Sequence, residues 1–121
     1  MFDPQKFRLD GQVALVTGAG AGIGRGIAEM FAGAGAAVVV SDLKQETADE
    51  VAKGITEAGG KAVGLACNVT KEEDLQATVQ AAIANFGSLS ILVNNAGGGG
   101  PKPFDMPMED FRWAYEINVF A

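Results

Sequence analysis

The sequence predicts an α/β domain wound on both faces of a parallel sheet. Three observations carry this. Short, unbroken apolar runs alternate with amphipathic stretches along the 121 residues. The apolar runs are rich in β-branched residues and end in glycine or polar positions. A glycine-rich turn joins the first run to the first amphipathic stretch.

Residues 1–11 form a polar lead-in. "QVALVTG" (12–18) reads as a buried first strand. "GIGRGIAEMFAGAG" (22–35) places Ile23, Ile27, Phe31 and Ala34 at helical spacing, and glycines end it. "AAVVVSD" (36–42) is a second strand. "KQETADEVAKGITEAGG" (44–60) carries Ala48, Val51, Ala52, Ile55 and Ala58 on one helical face and charge on the other. "KAVGLACNV" (61–69) is a third strand. "TKEEDLQATVQAAIANFG" (70–87) opens on a capping box, Thr70 to Glu73, and shows Leu75, Val79, Ala82, Ile83 and Phe86 on one face. "LSILVNN" (89–95) is a fourth strand. A glycine and proline loop then leads through Pro107 to a last helix ending in "FRWAYEINVFA".

Right-handed crossovers and the usual winding predict strand order 3-2-1-4. One domain is expected over residues 1–121, incomplete and truncated after its fifth helix, although the alternation above supplies four. Strand four then stands at an edge with "ILV" exposed, which is a liability unless something covers it.

Composition narrows the function. The chain is 48% hydrophobic and 20% charged, as folded proteins are. Its formal charge is −6 and no basic run occurs, which argues against a nucleic-acid partner. No histidine is present, so imidazole catalysis and most zinc sites are excluded, and no metal is expected. The single cysteine, Cys67, reads as a small core residue in a reducing compartment. No apolar run reaches membrane-spanning length and no signal peptide is visible, so a cytoplasmic protein is expected.

"VTGAGAGIG" spaces Gly18, Gly22 and Gly24 as G-x-x-x-G-x-G. Glycines there give a tight turn, bare backbone for a pyrophosphate, and a helix N-terminus whose N–H groups favour anions. The fold expected is therefore Rossmann-like. Asp42, ending strand two, can accept hydrogen bonds from both hydroxyls of an adenosine ribose. A 2′-phosphate there would meet like charge, and Ala21 offers no compensating cation, so NAD is expected over NADP. Lys44 reads as a solvated helix-start residue. A ligand-free glycine turn, and an Asp42 that merely complements the next helix's dipole, remain the alternatives.

With Thr17-Gly18, Gly22, Gly24 and "NNAG" (94–97) on matching elements, the chain resembles the short-chain dehydrogenase/reductase family over essentially its whole length. The stretch "NNAGGGGPKPFDMP" (94–107) is most similar to members that oxidise the 7α-hydroxyl of bile acids. The resemblance implies that Gly18, Gly22, Ile23 and Gly24 line the pyrophosphate. It implies Asp42 and Leu43 at the adenosine ribose, Asn68 and Val69 at the adenine, and Asn95, Ala96 and Gly97 beside the cofactor ribose. Gly99 would lie near a steroid or other alcohol substrate. The family usually has aspartate where this chain has Asn68, whose oxygen can still accept from the adenine amino group. The run "NNAGGGG" could equally be a structural loop capped by asparagines.

On a uniform 100° wheel the last helix puts Phe111, Ala114, Tyr115 and Asn118 on one side. Trp113, Ile117 and Phe120 fall nearly opposite. Two apolar faces need two partners, and the family's habit implies a homo-oligomer through this helix. Asn118 is a poor helix former on an apolar face. The resemblance implies a catalytic part for it, holding a water in a proton relay; a plain backbone hydrogen bond is the other reading. The family's general acid/base is a tyrosine with a lysine four residues on. Here Tyr115 is followed by Val119, so the catalytic serine, tyrosine and lysine are expected after residue 121.

Overall fold

The computed structural model describes Met1, residues 3–97 and residues 108–120, with Phe111 and Phe120 through their backbone alone. Gly99 and Pro107 lie outside the described residues.

A short 3-10 turn, Pro4–Phe7, precedes the alternation. Then follow β1 (Val13–Val16), α1 (Gly22–Gly33), β2 (Ala37–Asp42), α2 (Gln45–Glu57), β3 (Lys61–Ala66), α3 (Glu72–Phe86), β4 (Ile91–Val93) and α4 (Met108–Tyr115). The backbone continues from α4 as a π-helical segment, Glu116–Phe120. The described residues hold four α-helices, not five.

The four strands pair in parallel in the order β3-β2-β1-β4, as the winding rules require. Val16 pairs with Val40 on one side and with Val93 on the other, so these three strands end nearly level. Every residue of β1 is buried, because helices cover both faces. Val16, Val38 and Val40 pack beneath Ala28 and Ala32 of α1 and Ala48, Val51 and Ile55 of α2. On the other face Val13, Leu15 and Val39 meet Ala82 of α3. Burying each such Val or Leu contributes roughly 1.5–3 kcal/mol against chain entropy.

Three local expectations change. In α1 the buried positions are Gly24, Ala28 and Ala32, flanked by Ile27 and Phe31, whereas Ile23 is 78% exposed. The helix lies so close to the sheet that small residues, not large ones, face it. In α2, Ala58 is exposed because the helix has ended at Glu57. In α3 only Thr78 and Ala82 are buried, while Val79 and Ile83 are exposed beside edge strand β4, where Leu92 is exposed too.

The capping box also moves. Helix α3 starts at Glu72, and Thr70 turns its hydroxyl back to the Asn68 side-chain oxygen at 2.6 Å. Asp74 in the first turn instead accepts from the Asn68 N–H at 2.9 Å.

The outer edge of β3 is closed by one side chain. The Gln45 amide donates to the Gly64 carbonyl at 2.9 Å, and its oxygen accepts from the Ala66 N–H at 2.9 Å. Together these mimic one rung of a parallel ladder. Gln45 is the first residue of α2, so this rung also fixes the turn that follows Asp42.

Candidate functional site

The carboxyl ends of β1, β2 and β4 converge on the glycine-rich turn. Gly18 and Gly22 have φ of +62° and +58°, a region that side chains resist. A Cβ on Gly18 would also stand 2.9 Å from the Ala96 Cα. Gly24 needs no unusual φ, but a Cβ there would overlap the Gly18 carbonyl and lie 2.5 Å from the Asn95 amide nitrogen. Gly22 faces open space. The N-cap of α1 is Ala21, which supplies no side-chain cap, and the first turn holds no acidic residue. The leading N–H groups therefore lack the usual side-chain cap, as an anion site requires. By contrast α2 and α3 carry acids in their first turns.

Thr17 and Asn95 clasp the turn to β4. The Thr17 hydroxyl accepts from the backbone N–H groups of Asn95 and Ala96, each at 3.0 Å, and donates to the Val93 carbonyl at 3.3 Å. The Asn95 amide donates to the carbonyls of Thr17 at 3.1 Å and Gly18 at 3.2 Å. On the other side Ala19 N–H donates to the Ser41 carbonyl at 2.8 Å, tying the turn to β2.

Asp42 sits at the centre. One carboxylate oxygen accepts from the Gly20 N–H at 2.7 Å and the other from the Leu43 N–H at 2.6 Å. Each oxygen keeps a second lone pair for an outside donor.

A groove of about 250 Å³ opens over this region. It is lined by Gly18, Asp42, Leu43, Asn68, Val69, Ala96 and Gly97, together with Cys67, Trp113 and Ile117. Gly22, Ile23, Gly24 and Asn95 do not line it; the first three lie along the start of α1 and Asn95 lies beneath as the clasp. Leu43 is exposed and Val69 half-buried, giving apolar wall on which a flat ring can rest. The Asn68 side-chain oxygen already accepts from the N–H and the hydroxyl of Thr70, so its lone pairs are committed locally. A larger cleft of about 750 Å³ lies at the opposite end, around Arg8, Asp10, Arg25 and Lys61. Ligands of parallel α/β sheets bind at the carboxyl ends of strands, so the smaller groove is the candidate.

Cys67 is buried at the groove floor, and burial pushes its thiol above the ordinary value near 9.0. Among the described residues no cluster of His, Cys, Asp or Glu could hold a metal ion, and no helix is long and apolar enough to cross a membrane.

Asn118 lies in the π segment, where the backbone widens. Its amide donates to the Ala114 carbonyl at 2.9 Å, and its side-chain oxygen abuts Gly97. Ala114 and Ile117, three residues apart and so neighbours on a helical surface, are both half-buried, while Tyr115 and Val119 are exposed. Asn118 and Ile117 also line a second cavity of about 340 Å³ between β4 and α3, alongside Leu92 and Val79.

Sequence reasoning assigned no role to Thr17, Gly20 or Asp74 and put no groove contact on Trp113. Thr17 was legible in kind, as a hydroxyl at a strand's end. Gly20 breaks no spacing rule and carries no local signal.

The comparisons with known proteins agree with this geometry. The sequence pattern of the family described as "short chain dehydrogenase" matches residues 12–121. The 7alpha-hydroxysteroid dehydrogenase of Escherichia coli (strain K12) is 56% identical over 121 residues, which are 100% of this chain and 48% of that protein. Glucose 1-dehydrogenase 2 of Bacillus subtilis (strain 168) is 40% identical over 114 residues, 92% of this chain and 44% of that protein. A solved 7α-hydroxysteroid dehydrogenase complexed with NADH and 7-oxo glycochenodeoxycholic acid superposes with a TM-score of 0.92 at 57% identity, covering 99% of this chain and 47% of that one. The chain spans about half the length of these relatives. Matched by that family's pattern over residues 12–121, the chain belongs to the short chain dehydrogenases.

Proposed function

We propose that this chain is the cofactor-binding half of an NAD-dependent oxidoreductase. The whole enzyme would move a hydride between nicotinamide and the carbon bearing a bile acid's 7α-hydroxyl. The observation that carries the reading is the Asp42 carboxylate, held by two backbone N–H groups in the same groove as the glycine-rich turn. The residues fit a dinucleotide. The mouth of α1 has no side-chain cap and no acid, and Gly22 faces open space, so a pyrophosphate meets bare N–H groups.

In this reading Gly18, Gly22, Ile23 and Gly24 hold the pyrophosphate, and Asp42 with Leu43 holds the adenosine ribose. Val69 flanks the adenine, and Asn68 contributes through its edge while its oxygen stays with Thr70. Ala96 and Gly97 border the second ribose, and Asn95 keeps the turn in place. The bound dinucleotide supplies the hydride acceptor. Asn118 holds a water of the proton path, a reading supported by its place in a π segment, a geometry frequent at functional sites. Gly99 would lie beside the steroid. The serine and the tyrosine–lysine pair are not among these residues, as Tyr115 is followed by Val119. We further propose a cytoplasmic protein that assembles with copies of itself through α4 and the π segment after it, where Trp113, Tyr115 and Val119 are exposed. No nucleic-acid or membrane partner is proposed.

A second substrate reading, another alcohol or ketone, is favoured by relatives named for other substrates, such as the glucose dehydrogenase. A third, a nucleotide-binding module without catalysis, describes the 121-residue chain taken alone. NADH fluorescence titration tests the core of the proposal. NADH is expected to bind, NADPH to bind more weakly, and a bile acid with NAD to give no turnover with these 121 residues. Absence of NADH binding, or tighter NADPH binding, would overturn it.

A further inference from the structure

We infer that Gly20 is a specificity-determining position: its bare Cα and its N–H together set where the Asp42 carboxylate sits, and so which dinucleotide the groove accepts. The inference rests on the proposed NAD site and extends it to a residue outside the G-x-x-x-G-x-G spacing.

The four glycines of the turn are glycine for different reasons. Gly18 and Gly22 need a positive φ. Gly24 needs room against backbone and the Asn95 amide. Gly20 has no positive φ, so its backbone would accept an alanine. What an alanine would displace is the end of the Asp42 side chain, with the Thr47 methyl beside it. A Cβ on Gly20 would overlap the Asp42 carboxylate oxygen, stand 2.8 Å from its carbon and 2.5 Å from the Thr47 methyl. The slot of the missing side chain is filled by the carboxylate itself. The Gly20 N–H then donates to that carboxylate at 2.7 Å, and the Leu43 N–H holds the other oxygen. Gly20 is buried, so water does not compete for this bond.

The carboxylate is thereby held at the turn by two backbone donors, one on each oxygen, and its remaining lone pairs are left for other donors. Those lone pairs meet ribose hydroxyls and repel a 2′-phosphate. Gly20 is a positioning residue in this scheme, acting through Asp42.

The test is a double-variant cycle on the 121-residue chain, read by NADH and NADPH titration and by thermal melting. Gly20→Ala should weaken NADH roughly tenfold to a hundredfold, the scale of one or two charge-assisted hydrogen bonds. It should weaken NADPH less, so the preference for NADH narrows. Asp42→Ser empties the slot. In that background Gly20→Ala should change neither affinity by more than about twofold, and the melting temperature lost in Gly20→Ala should return in part. Unchanged NADH affinity in Gly20→Ala overturns the inference alone. Equal effects of Gly20→Ala in both backgrounds also overturn it, because the residue would then act on the fold and not on Asp42. A parent chain that binds no NADH defeats the proposed function, and this inference with it.

Discussion

The side-chain oxygen of Asn118 occupies the space beside Gly97, 2.7 Å from where a Cβ on that glycine would stand. The loop leaving β4 and the π segment after α4 thus meet at a bare Cα. Gly97→Val should cost about 1–3 kcal/mol, as overpacked positions do. The loss should shrink when Asn118→Ala is added, because the clashing atom is gone. Urea denaturation of the two single variants and the double variant checks this; additive losses would mean the two residues do not share the contact.

The Thr17 hydroxyl serves two backbone donors and one acceptor at once. Thr17→Val keeps the shape and removes all three bonds, so a loss of about 2 kcal/mol is expected. Thr17→Ser keeps the three bonds and loses only a buried methyl, so a smaller loss of about 1 kcal/mol is expected. Equilibrium denaturation measures both. NADH affinity should fall with Thr17→Val, since Asn95 and Gly18 lose their common anchor.

Gln45→Ala should lower stability by about 1 kcal/mol and expose the Gly64 carbonyl and Ala66 N–H on the edge of β3. Open edges pair with other chains. Concentration-dependent light scattering should therefore rise in this variant, and Gln45→Leu, equally long but apolar, should not restore the parent behaviour.

Cys67 is buried, and burial raises its thiol pKa. The folded chain therefore keeps this proton more tightly than the unfolded chain does. Its contribution is fully present below the unfolded thiol value and is lost as pH rises through the folded one. Stability should decline above about pH 8.5, the range where a free thiol ionises, and Cys67→Ala should remove that part of the decline. Denaturant midpoints from pH 7 upward measure it. Aromatic disulfide reagents should label Cys67 at the rate of local opening, independent of reagent concentration when reagent is in excess.

Strands β1 and β2 were legible because burial on both faces writes an unbroken apolar run, whereas the half-buried β3 and β4 end at Ala66 and Val93, short of the expected 61–69 and 89–95. "AAVVVSD" places β2 within one residue of Ala37–Asp42, and Asp42 falls at the strand's end as expected. Helix faces were harder. A wheel favours large residues, so it picked Ile23, while close packing on the sheet selects Gly24, Ala28 and Ala32. On the last helix the half-buried pair, Ala114 and Ile117, lies at the seam between the two faces drawn on the wheel, so those faces do not separate buried from exposed residues. The glycine turn and Asp42 carried local signals. Gly20 did not, because its constraint comes from a side chain 22 residues away. The Thr17–Asn95 clasp spans 78 residues, which no local pattern records.

That clasp has a consequence for kinetics. Bonds from both neighbouring strands hold the loop between β1 and α1 through the protein's own groups, so capture of a dinucleotide should need little ordering of backbone. Recognition here should behave as near rigid docking: fast association, a small conformational-entropy penalty, and affinity differences among variants expressed chiefly in how quickly the nucleotide leaves.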